Sequence, residues 1–264
     1  MGLSEWVSIR RFLGVPLMKS FPPKRATTKR VYEEKRHARH QLQAQNGTTD
    51  GAGPPSADNT LAGMSSQQLI ELEHRLKEML LPGEASRPFL CDGSPLECSV
   101  AIVGINPATT TPFWPHWRSG VGFEKQSWLS AYQAGQANKR NQTRPRIELL
   151  VSQLQPLRCL ELNLWPYSSR SEAVLEPRLR DTEVFNYLLS VVQPKLLFVF
   201  GNSPIKALTA TFGVAALPKN QFTSCAYRGN SFQVFTTSHL SRGWSMQRVA
   251  ELGQQLKARV QNAG

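Results

Sequence analysis

Nothing in this 264-residue sequence is apolar for long enough to cross a bilayer, which takes about 18 residues or more. The longest apolar runs, such as Leu196-Leu197-Phe198-Val199-Phe200, are the size of a strand. The opening residues lack the apolar core of a secretory signal, and Trp6 stands where a myristoylation site wants Ser or Thr. The expectation is a cytoplasmic protein with no membrane partner. Neither a G-x-G-x-x-G nor a Walker pattern occurs, which argues against dinucleotide and nucleoside-triphosphate chemistry. Cysteine is scarce. Cys91, Cys98, Cys159 and Cys225 are widely spaced with no C-x-x-C pair, a poor arrangement for an iron–sulfur cluster. Cys98 and Cys159 open apolar runs, where a buried free thiol is the ordinary outcome. His37-Ala38-Arg39-His40 lies amid positive charge and reads as basic tail rather than metal site. No metal, no cofactor and no internal repeat are expected.

What the chain has in excess is positive charge, a net +12. Residues 1–40 hold ten Lys and Arg against three acids, or +7; the remainder holds 21 against 16, or +5. A basic arm on a mildly basic body fits a polyanionic partner, most simply nucleic acid. A solvated tail or an organelle transit segment is the other reading of the arm. After it, up to Gly63, the chain turns Gln-, Gly-, Thr- and Pro-rich, too polar to offset its ordering entropy by burial. The expected organisation is an arm and linker over residues 1–63 and one folded domain over 64–264. Ser65 with Gln68 reads as a capping box opening a helix, with Leu69, Leu72, Leu76 and Leu80 on one face.

From there strand-like and helix-like runs alternate. Strands are predicted at 98–104, 158–164, 195–201, 221–227 and 231–237, and helices at 124–134, 145–155, 180–193, 203–212 and 245–261. Pro145 and Pro204 suit first helical turns. This alternation predicts a three-layer α/β/α sandwich around a mostly parallel central sheet.

Three strand ends carry polar groups. Val100-Ala101-Ile102-Val103 stops at Gly104-Ile105-Asn106-Pro107-Ala108, Leu160-Glu161-Leu162 stops at Asn163, and Phe235-Thr236-Thr237 runs into Ser238-His239-Leu240-Ser241-Arg242. Ligands of open α/β sheets bind beyond the carboxyl ends of the strands. Asn106, Asn163 and the 236–242 loop are therefore expected around one cleft. Singly, each has a plainer explanation: Asn often satisfies turn backbone, and His239 would pass for a loop histidine. Their meeting on one edge is what favours a site.

Gly104-Ile105-Asn106-Pro107 resembles the first motif of the uracil-DNA glycosylase superfamily, closest to its mismatch-specific uracil/thymine branch. Ser238-His239-Leu240-Ser241-Arg242 is similar to that branch's second motif, Leu162-Asn163 to the strand end that reads uracil, and Gly120-Val121-Gly122-Phe123 to the segment whose aromatic stacks on the base. The longer run through Ala108-Thr109-Thr110 with Phe113-Trp114 also resembles a bacterial and phage branch. The resemblance covers roughly residues 98–260. It implies that Asn106 holds the attacking water, Asn163 pairs with the base edge, and Phe123 stacks on the flipped base. Gly104, Ile105, Pro107 and Ala108 would shape the base pocket. Leu240 would be the wedge filling the vacated duplex, with Ser238, Ser241 and Arg242 on phosphates. Apart from the resemblance, Lys139, Arg140, Arg144 and Arg146 cluster between two predicted helices and suit either backbone contacts or a solvated basic loop.

Two positions depart from the pattern. Thr236 falls where the main branch has its catalytic histidine, so either His239 serves from a shifted place or no histidine does. Ala108 falls where a Tyr shuts out thymine's methyl, so weaker discrimination against 5-substituted uracils is expected. The implied function is a monomeric, cofactor-free DNA glycosylase acting on uracil or a related damaged base in single- or double-stranded DNA. A catalytically silent nucleic-acid-binding module is the alternative; an enzyme of free nucleosides would not need the basic arm.

Overall fold

The computed structural model describes residues 57–135 and 142–262. The basic arm, with His37 and His40, and the pair Lys139 and Arg140 lie outside them. Helix α1 (Ala57–Met79) precedes strand β1 (Phe89–Leu90) and β2 (Val100–Gly104). A short hairpin, β3 (Trp117–Arg118) with β4 (Gly122–Phe123), leads into α2 (Lys125–Gly135) and α3 (Thr143–Leu154). Then come β5 (Cys159–Asn163), α4 (Glu183–Val192), β6 (Leu196–Phe200), α5 (Asn202–Thr211), β7 (Phe222–Tyr227), β8 (Asn230–Thr237) and α6 (Met246–Gln261). No helix among the described residues is long and apolar enough to cross a membrane.

Six strands form one sheet in the order β1-β5-β2-β6-β8-β7. The inner four run parallel, and β1 and β7 close the two edges antiparallel. Strands β2, β5 and β6 are buried at every position, as expected for parallel strands with apolar residues on both faces. The pleat sorts alternate residues into two cores. Ala101, Val103, Leu160, Leu162, Leu197 and Val199 pack with α1 and α4 residues such as Leu72, Leu76, Phe185 and Leu188. Val100, Ile102, Phe198 and Phe235 pack with Ile147, Leu150, Val249, Leu252 and Leu256 of α3 and α6. Helices α3 and α6 approach closely at Gly253, where an added Cβ would lie 2.5 Å from that of Gln153.

The alternating pattern of the sequence thus yields a mixed α/β domain with a mostly parallel six-stranded sheet, with each expected strand and helix present. One helix start differs. Ser65 lies inside α1 rather than capping it, because Ser and Gln cost little in a helix interior and the chain upstream continues the turn. Its stripe Leu69, Leu72, Leu76 and Leu80 is buried as expected, and all four cysteines are buried free thiols.

Candidate functional site

Parallel pairing sets the strand ends level. Gly104 registers with Asn163, Val103 with Val199, and Phe200 with Thr237. Beyond this edge lies a cavity of about 160 Å³, lined among others by Gly104, Ile105, Asn106, Ala108, Asn163, Phe200 and His239. An apolar cavity of about 150 Å³ holds one benzene-sized ring, so this one suits a single base-sized heterocycle. At Gly104 two of the lining side chains crowd the backbone. A Cβ there would sit 3.2 Å from Phe200 Cζ and 3.3 Å from Asn163 Oδ1.

The Asn106 amide is tied down by its nitrogen. Nδ2 donates to Ser169 Oγ at 2.8 Å, and more weakly to the Ser169 and Pro107 carbonyls at 3.3 and 3.1 Å. Its donors are thereby engaged, and Oδ1 remains as the acceptor available on the cavity wall. Asn163 differs. Only 9% exposed, it lines the cavity, and its side chain makes no hydrogen bond to any described residue. Its amide atoms are not sealed off from solvent and open into the cavity. It offers one donor pair and one acceptor to whatever enters.

His239 is the histidine of the site. Its Nδ1 accepts from the Ser241 backbone N–H at 3.2 Å and contacts Ser241 Oγ at 2.8 Å. In the neutral ring the proton therefore sits on Nε2. Burial, and then the charge of Arg242, lower its pKa below 6.5, so the neutral donor form prevails near pH 7. Phe200 packs edge-on against the ring at 5.4 Å. Thr236, by contrast, is buried and donates to the Pro218 carbonyl at 2.9 Å, away from the cavity.

The floor of the cavity is ionic. Glu161 projects on the same side of β5 as Asn163, two residues on. It is met by Lys125 Nζ at 2.8 Å and by both terminal nitrogens of Arg144. Glu148 bridges the same two cations, 2.7 Å from Arg144 and 3.1 Å from Lys125. Burial alone would raise the Glu161 pKa, but the Arg144 and Lys125 charges hold it down at about 2. Arg87, Tyr132 and Thr143 complete this end.

Several expected roles find their residues elsewhere. Phe123 is 1% exposed and stacks on Phe113 at 4.7 Å within an aromatic cluster, and it does not reach the cavity. Its backbone is fixed by the β3–β4 hairpin and by Gly93, which turns the ring inward. Phe200 and Tyr132 supply the phenyl rings on the cavity lining. Leu240 is fully buried in the α3/α6 core, not exposed as a wedge, because the loop turns inward at that residue and adds it to the cluster that holds Phe200 and Val249. Arg144 is committed to the carboxylates of the floor. Pro107 is buried outside the lining, while Ser238 and Arg242 are exposed beside the mouth loop and Ser241 orients His239. Ser238 Oγ also accepts from Trp244 Nε1 at 3.2 Å.

The residues sequence reasoning missed are Phe200, Glu161 and Arg87. The first two had a signal: Phe200 ends a strand at the same edge, and Glu161 is a charge inside an apolar run. Compared with family models and with curated proteins, the chain finds no match.

Proposed function

We propose that the protein is a DNA glycosylase that hydrolyses the N-glycosidic bond of uracil or a related damaged base, on the three-layer scaffold that a sheet with two apolar faces supports. The observation that carries this reading is Asn163, a side chain with no protein hydrogen bond among the described residues, whose amide opens into a base-sized cavity. Its donor and acceptor complement the O4 and N3–H of uracil. Asn106 Oδ1 accepts a hydrogen bond from the water that attacks C1′, the amide being held by Ser169. An amide cannot take the water's proton, so most of the rate enhancement has to come from stabilising the departing base. His239, neutral with its proton on Nε2, is the donor placed to do so. Phe200 offers the stacking face.

The base reaches such a cavity only by leaving the duplex, at a cost of a few kcal/mol. The positive charge of the chain and the exposed Ser238 and Arg242 fit a phosphate backbone at the mouth. Ala108, exposed on the lining, leaves room beside the base edge for a 5-substituent.

The test is cleavage of labelled oligonucleotides carrying uracil, single-stranded and opposite G or A, followed by alkali. Wild type is expected to cleave. Asn106→Ala and Asn163→Ala are each expected to lose about 100-fold or more, as for other removed transition-state contacts. Intact DNA binding with no cleavage would overturn the reading in favour of a silent binding module. That second reading draws on Leu240, whose burial leaves the mouth loop without a wedge.

A further inference from the structure

Among the charged groups that line the cavity, Arg87 has no assigned task. It lies on the irregular segment before β1, pinned where its backbone N–H donates to the Pro166 carbonyl at 2.7 Å and Ser86 bridges to Tyr167. Its guanidinium rests over the Trp128 ring, 5.2 Å from the centroid. A cation–π contact of this kind holds the guanidinium in place on the cavity wall. No carboxylate or carbonyl among the described residues accepts from its N–H groups. The neighbouring cations are different: Arg144 and Lys125 are both engaged by Glu161 and Glu148. Two carboxylates and three cations leave one positive charge over, at the side of the cavity where Arg87 stands.

We propose that Arg87 makes this cavity a receptor for a planar heterocycle in its anionic form, and that it is a charge-stabilising residue for the departing base. The catalytic half of this inference rests on the glycosylase reading; the binding half does not. In the reaction the C1′–N bond breaks and its electron pair leaves on the base. Water oxygen bonds to C1′, and the proton the water sheds finally neutralises the base. Between these events the base carries a full negative charge. A guanidinium with free donors on the cavity wall stabilises that state more than the neutral base it came from.

The groups facing Arg87 support a fixed positive field. Arg144 from α3, Glu161 from β5 and Tyr132 from α2 act on it through space. Burial, followed by the Arg144 charge, lowers the Arg87 pKa to about 10, which leaves it charged in ordinary buffers. His239, also on the lining, stays neutral above its lowered pKa and adds no competing titration.

The experiment is calorimetric binding of free uracil and free 5-fluorouracil to the full chain across mildly alkaline pH, where the fluorinated base ionises first. Wild type should bind the 5-fluorouracil anion about 10- to 100-fold more tightly than neutral uracil, the range for a hydrogen bond to a charged group. Arg87→Gln should lose that preference, and Arg87→Lys should keep part of it. Both variants are checked by thermal melting, so a misfolded protein is recognised. A wild type indifferent to ionisation, or a folded Arg87→Gln that keeps the preference, overturns the proposal. The second arm is single-turnover cleavage of both bases in DNA. Arg87→Gln should lose more on uracil, the poorer leaving group, than on 5-fluorouracil; equal losses overturn the catalytic half. A wild type that cleaves neither base yet shows the Arg87-dependent preference overturns the glycosylase reading and supports the receptor.

Discussion

Glu161 sits at the centre of a fully buried strand with two cations on its carboxylate. Its pKa is about 2 in the fold against 4.5 for the free group. A depressed carboxyl pKa stabilises the fold above the unfolded value, and the contribution disappears as the pH falls through the folded one. Denaturant unfolding should therefore show stability falling as pH drops from about 4.5 to about 2. In Glu161→Gln this acid slope should be much reduced. At neutral pH the same variant should be less stable by about 3 kcal/mol, because Arg144 and Lys125 are left to share the single carboxylate of Glu148. At this scale the sequence was legible where a polar residue broke an apolar run at its end, as with Asn106, Asn163 and His239. It was silent on Arg87, which sits on a segment with no periodicity, and only its contact with the Trp128 ring, 41 positions later by number, gives it a place.

Elements of regular pattern were readable, and those too short to have one were not. β1 has two residues, as do β3 and β4, and no alternation can announce a strand of that length. Yet the β3–β4 hairpin is what carries Phe123 into the core, so the expected base-stacking segment was misplaced by a turn invisible in the sequence. The loop after β8 errs in the same way. Ser238-His239-Leu240-Ser241-Arg242 has the polarity of an exposed loop, but its one apolar member folds into the cluster that holds Val249 and Phe200. Leu240→Ala should consequently destabilise the domain by about 2–5 kcal/mol in urea unfolding, the cost of a core cavity. A side chain projecting as a wedge would leave stability unchanged. The substitution also bears on the site, because Leu240 follows His239 in the chain and belongs to the same core cluster as Phe200, on which His239 packs.

For the whole molecule, charge and topology divide the work. The strand ends bring residues from 87 to 239 onto one cavity, while the densest positive charge lies in residues 1–40. Removing residues 1–56, ahead of α1, should flatten the dependence of DNA affinity on salt by about 0.9 in log–log slope for each phosphate those residues neutralise. An unchanged slope, measured by fluorescence anisotropy on one duplex, would assign the phosphate contacts to the domain itself. The alternation of strands and helices made the sheet legible in advance, but strand order is decided by packing, and β8 inserts between β6 and β7 rather than at an end. That insertion has a consequence for the growing chain. Leu196-Leu197-Phe198-Val199-Phe200 is synthesised before β8 exists, and until then one side of this uncharged strand is an open hydrogen-bonding edge. Nascent and partly unfolded chains thus present the features that template aggregation, and the last strand to be made is the one that ends the exposure.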